Sequence, residues 1–125
     1  MSHPPHLARS LSPGGIPTSL LVQLFSDRVS VTISQLGKVG TTLLATCDVS
    51  PTTERRSYDV TVLLGRRDDP LLSIYARQLI EKVKEVDPKP RRDVLLCISL
   101  KEEGRDSASF QELLNATLEM FVEML

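Results

Sequence analysis

The chain predicts an α+β domain: a single five-to-six-stranded, mostly antiparallel sheet with two helices on one face and the opposite face available for a sandwich-like dimer. Three observations predict it. Val29, Val31 and Ile33 alternate with Ser30, Thr32 and Ser34, the period-two pattern of a half-buried strand. Leu72, Tyr75, Ala76, Leu79, Val83 and Val86 recur at spacings of three and four, the stripe of a helix laid on a sheet. Four strand-like segments precede that helix, and a fifth strand and a second helix follow it, an order that suits one layered domain of 125 residues.

Taken in order, Met1 to Pro17 holds four of the eight prolines with Gly14 and Gly15 and no apolar period, so it reads as a disordered tail ahead of a domain over 18–125. Thr18 to Phe25 reads as a strand, turned at Ser26-Asp27 into a second strand, Arg28 to Gln35, as a hairpin. Gly37 and Gly40 bracket a short connection and are expected to supply positive backbone dihedrals. Thr41 to Cys47 forms the next strand. Asp48 to Ser57 is polar and broken by Pro51, an exposed loop, and Tyr58 to Leu64 returns as a strand.

Asp69-Pro70 starts the first helix, with aspartate at the N-cap and proline at the first helical position, and the helix runs to about Val86. Asp87 to Arg92 ends it with two prolines. Asp93 to Leu100 is almost continuously aliphatic and reads as a strand buried on both faces and therefore central, parallel to the strand before the helix by a right-handed crossover. Ser109 and Glu112 stand at capping-box spacing before a last helix from Phe110 to about Met124.

Composition narrows the function. The formal net charge is −1 and aromatic residues make up 4% with no Trp, so neither a basic field nor a stacking platform for nucleic acid is present. No apolar run is long enough for a membrane span and the start lacks a secretory pattern, so a soluble intracellular protein without membrane partners is expected. Cys47 and Cys97, in apolar strands, are expected to be buried, reduced thiols.

The residue types that carry catalysis are sparse. His3 and His6 lie in the tail without fixed partners, and a general base must be held in place. Gly37-Lys38-Val39-Gly40 is too short for a phosphate loop and leads into a strand, not a helix. Asp68 and Asp69 are explained by helix capping, and the two cysteines have no further ligands spaced with them. No enzyme, cofactor or metal is therefore expected. The doublets Arg55-Arg56, Arg66-Arg67 and Arg91-Arg92 are solvated loop charge or, if their ends cluster, a contact patch for an acidic partner. An excess of strand hydrophobicity points to a partner surface, with Val29, Val31 and Ile33 as the candidate dimer interface.

The runs VTISQLGKVGTTL (Val31 to Leu43), VTVLLGRRDDPLLSIYARQLI (Val60 to Ile80) and DVLLCISLKE (Asp93 to Glu102) resemble the proteasome assembly chaperone 3 family in order and spacing. The most specific elements are Gln35, Gly37 and Gly40 and the Leu63 to Pro70 junction; the tail and the loop Asp48 to Ser57 have no match. The resemblance implies a noncatalytic chaperone of the cytoplasm and nucleus that helps build the alpha-ring of the 20S core particle. It implies a dimer with a chaperone 4-like partner, a homodimer being open, and capture of an alpha-type subunit, alpha-5 above all. Arg66, Arg67, Asp68 and Asp69 are the candidate client contacts, as charges that steer and register docking. The other reading is a small dimeric adaptor or scaffold with a non-proteasomal partner.

Overall fold

The computed structural model describes residues 5–35, 40–87 and 92–125. Among these, six strands form one mixed sheet: β1 (His6–Leu11), β2 (Thr18–Leu24), β3 (Arg28–Ser34), β4 (Thr41–Val49), β5 (Arg56–Leu64) and β6 (Asp93–Ser99). Two helices, α1 (Pro70–Val86) and α2 (Ser107–Met124), complete the fold. The strand order is β1-β2-β3-β6-β4-β5. Only β3 and β6 pair in parallel; every other neighbouring pair is antiparallel.

The hairpin of β2 and β3 and the central place of β6 follow the sequence reading. The crossover from β5 through α1 to β6 differs in one respect. β5 and β6 do run in the same direction, but β4 lies between them and is antiparallel to both. The parallel neighbour of β6 is β3, so the crossover skips a strand.

The segment expected to be a disordered tail contains β1, paired with β2 from His6↔Gln23 to Leu11↔Thr18. Prolines 5 and 13 flank this strand rather than interrupt it, and an edge strand tolerates proline close by because one side of its ladder needs no donors. Leu7 and Leu11 point to the core side, and Pro13 is buried in a 3-10 turn over Pro13–Gly15.

Register across the sheet sorts the side chains into two faces. Leu7, Val22, Val31, Leu96, Leu43 and Val62 are successive partners across all six strands and lie on the face covered by the helices. Leu72, Tyr75, Leu79, Ile80 and Val83 of α1 and Phe110, Leu113, Leu114, Met120 and Phe121 of α2 fill the same core. The Tyr75 and Phe110 rings meet with centroids 4.1 Å apart where the helices touch.

This sorting corrects the proposed dimer interface. Val29, Val31 and Ile33 are 0%, 1% and 1% exposed beneath the chain's own helices and have no surface left to offer a second chain. Alternation along β3 divides its residues into two faces, but either set could have met the helices. The other set, Ser30, Thr32 and Ser34, is the one turned away.

The helix ends are built differently from one another. At α1, Asp69 holds the N-cap position with Pro70 behind it, yet its side chain makes no capping hydrogen bond. At α2 the cap is Asp106, not the Ser109 box: its carboxylate accepts from the Ser109 amide at 3.1 Å and the Ser109 hydroxyl at 2.7 Å. The helix therefore begins a turn earlier than Phe110. Arg56 donates to the Lys84 carbonyl near the end of α1, and Arg92 pairs with Asp87 at 2.8 Å across the α1–β6 connection.

Gly40 and Gly65 serve distinct purposes. A Cβ at Gly40 would run into the Ile98 carbonyl of β6, so close backbone approach, and not the positive dihedral expected from the turn, demands glycine there. Gly65 does need a positive φ, +101°, to leave β5. Gly37 lies outside the described residues, as does Lys38.

Candidate functional site

Two surfaces remain after the core is assigned. The first is the loop from β5 to α1. A register shift between Thr42 and Leu43 places Thr42 opposite Leu64 and Leu43 opposite Val62, leaving Leu63 out of the ladder. Leu63, in line with the exposed Asp59 and Thr61, and Leu64, displaced by the shift, are 49% and 65% exposed, side by side at the root of the loop. Arg66, Arg67 and Asp68 follow, all exposed.

Both ends of this loop are fastened. Just past Gly65, the Arg66 amide donates to the Thr41 hydroxyl, itself buried, at 3.1 Å. At the far end the Arg105 guanidinium donates to Asp69 Oδ1 at 2.5 Å. Arg66, Asp69 and Arg105, with Thr41 and Ser99, line a crevice of about 350 Å³ at this end of the sheet. The hydrogen bond from Arg105 holds the Asp69 carboxyl below its usual range, against burial. Arg66 and Asp68 also pair at 3.3 Å, a surface contact of little energetic weight.

Of the four candidate client contacts, then, Arg66, Arg67 and Asp68 are displayed together, and Asp69 is not. Asp69 is 8% exposed and committed to Arg105, a structural role. Leu63 and Leu64 are neighbours that sequence reasoning left inside a strand. Two apolar residues in succession just before a glycine were the available signal, since a regular strand would have turned one of them inward.

The second surface is the open face of the sheet. Leu21, Thr32, Cys97 and Thr42 are successive partners across β2, β3, β6 and β4, and Leu95 and Leu44 pair beside them. All are half-buried by neighbouring strands, and among the described elements both helices pack on the opposite face. The Cys97 thiol lies 3.6 Å from the Thr42 hydroxyl on this face, whereas Cys47 packs against the core on the other. The two cysteines therefore do not meet.

The arginine doublets do not form one patch. Arg56 begins β5 and Arg66 follows its end, about 30 Å apart for a nine-residue strand. Arg92 lies with Arg56 near the end of α1; Arg91 lies outside the described residues. His6 is exposed on β1, and His3 lies outside the described residues. Among the described residues no three His, Cys, Asp or Glu side chains gather as a metal site, and no helix is long and apolar enough to cross a membrane.

The fold and its surfaces define a class: a single mixed sheet backed by two helices, with one sheet face that no described helix covers and a fastened loop that displays leucine beside arginine. The family model described as proteasome assembly chaperone 3 matches residues 31–119, and the chain belongs to that family. Among relatives, proteasome assembly chaperone 3 of Bos taurus is 31% identical over 104 residues, covering 82% of this chain and 83% of its own. The Homo sapiens protein of the same description is 30% identical over 93 residues, covering 74% of each. A solved chaperone complex for yeast 20S proteasome assembly superposes with a TM-score of 0.72 at 15% identity, covering 96% of this chain and 99% of that one. At that identity the likeness is one of fold.

Proposed function

We propose that this protein is a noncatalytic chaperone of 20S proteasome assembly, acting in the cytoplasm and nucleus. It binds an alpha-type subunit, alpha-5, and promotes correct alpha-ring formation as a dimer with a chaperone 4-like partner. The observation that carries the reading is the β5–α1 loop: Leu63 and Leu64 supply desolvatable area, and Arg66, Arg67 and Asp68 supply charges that register a docked surface. Because Thr41 and Arg105 hold the loop in place, little ordering entropy is lost on binding.

The partner chaperone would use the bare sheet face, where a second sheet stacked on Leu21, Leu44, Leu95 and Cys97 makes a two-chain sandwich. The two surfaces adjoin at Leu64, the register partner of Thr42, with Arg66, Arg67 and Asp68 beyond the end of the sheet.

The test is purification from native cells with identification of the bound proteins, followed by Arg66→Glu/Arg67→Glu. Recovery of alpha subunits with a companion of similar size, and loss of the alpha subunit alone in the double variant, is the expected result. Partners exclusively outside the proteasome would replace this reading with that of a dimeric adaptor.

A further inference from the structure

The outer side of α2 has a pattern that the core uses only in part, through Leu118, and that the sheet face does not use. Asn115, Leu118, Val122 and Leu125 follow one another at spacings of three, four and three, the spacing of a helix-packing seam. Val122 and Leu125 are 50% and 54% exposed, and Leu118 is half-buried beside them. With Glu119 and Glu123, Asn115, Leu118 and Val122 line a shallow groove of about 550 Å³.

The charge that α2 itself brings to this seam has one sign. The helix carries Glu112, Glu119 and Glu123 and no Lys, Arg or His. Arg9 of β1 already pairs with Glu119 at 3.0 Å, an exposed contact that puts one guanidinium on this rim. Glu123 has no ion pair among the described residues.

We propose that this groove docks a basic amphipathic helix of a partner protein, with leucine-type residues at three-and-four spacing on the seam and Lys or Arg facing Glu119 and Glu123. A second copy of this chain is a poor occupant, because two α2 seams brought together would oppose glutamates to glutamates. The seam lies on the helix side of the molecule, so the sheet face stays free for its own partner. The proposal does not depend on the proteasomal reading, which rests on the loop at 63–68.

Its test uses the full chain, ¹⁵N-labelled, titrated with a synthetic three-heptad peptide bearing Leu at a and d and Lys at e and g, and with its Glu-for-Lys counterpart. Amide shifts confined to α2 and β1 with the lysine peptide, and none with the glutamate peptide, are expected. Glu119→Lys/Glu123→Lys should weaken the lysine peptide about tenfold and admit the glutamate peptide. Val122→Asp, at an exposed position, should abolish binding without unfolding the chain. No shift with the lysine peptide, equal response to both peptides, or shifts centred elsewhere would overturn the proposal, as would a changed oligomeric state of Val122→Asp on sedimentation.

Discussion

Arg105 and Asp69 lie 36 positions apart in sequence and form an ion pair 2.5 Å from Nη2 to Oδ1. The pair joins the segment leading into α2 to the first turn of α1, and so fastens the loop that carries Arg66, Arg67 and Asp68. Arg105→Ala leaves the Asp69 carboxylate buried without its partner and should cost about 2 kcal/mol at neutral pH by urea denaturation. In the client assay it should weaken capture while leaving pairing with the companion chaperone intact.

The same pair sets an acid dependence. The Asp69 carboxyl titrates below its ordinary value of 3.8 in the folded protein, so its contribution is complete above that value and is lost as pH falls through the lower, folded one. Denaturation curves of the native chain and Arg105→Ala should therefore converge in strong acid and diverge above about pH 4.

Tyr75 offers the opposite sign. It is 1% exposed and its hydroxyl has no hydrogen-bond partner among the described residues, while burial pushes the phenol above its usual range. The neutral form is favoured in the fold, so stability is complete below the ordinary value of 10 and declines as pH rises beyond it. Tyr75→Phe should keep the Phe110 contact, raise stability by about 1 kcal/mol at pH 7, and remove this alkaline decline.

The two faces of the sheet can be told apart by substitution. Ile33→Ala empties a core position and should lose about 3 kcal/mol in denaturation without altering how the folded chain associates. Leu95→Arg, on the bare face, should leave the isolated fold standing and prevent pairing with a second chaperone chain on sedimentation. Unchanged pairing in Leu95→Arg would remove the sheet face from the assembly.

Gly40→Ala should be costly although its φ is ordinary. The added methyl meets the Ile98 carbonyl, which β6 cannot move without breaking its ladder, so a loss of about 2 kcal/mol is expected. The fall should appear as a lower urea midpoint with an unchanged slope.

Most of the elements were legible because each rests on a local pattern. The stripe from Leu72 to Val86 and the Asp69-Pro70 start delimit α1 to the residue. The aliphatic run Asp93 to Ser99 reads as a strand buried on both faces, and β6 is indeed flanked on both edges, but only its helix side is fully buried while Leu95 and Cys97 stay half-buried on the other. β1 escaped because its strand pattern rests on only two leucines between prolines, and pairing with β2 rather than propensity orders it. The start of α2 shifted because Asp106 and Ser109 both offer caps, and only the backbone path selects one.

The candidate contact residues are less legible than the residues that fold. Arg66, Arg67 and Asp68 stood out as a charged loop, but the sequence neighbour Asp69 looks identical to Asp68 until Arg105 arrives from another part of the chain. Leu63 is outward by the alternation of β5, whereas Leu64 joins it at the surface through a register shift against β4.

By itself, then, the amino-acid order determined the class of fold, the extent of α1, the family, and the scarcity of catalytic groups. Tertiary structure alone decided which face each strand turns inward. Alternation is symmetric between the two faces of a strand, and the helices break that symmetry only when they pack, burying Val29, Val31 and Ile33 and leaving Thr32, Leu95 and Cys97 on the side without a helix.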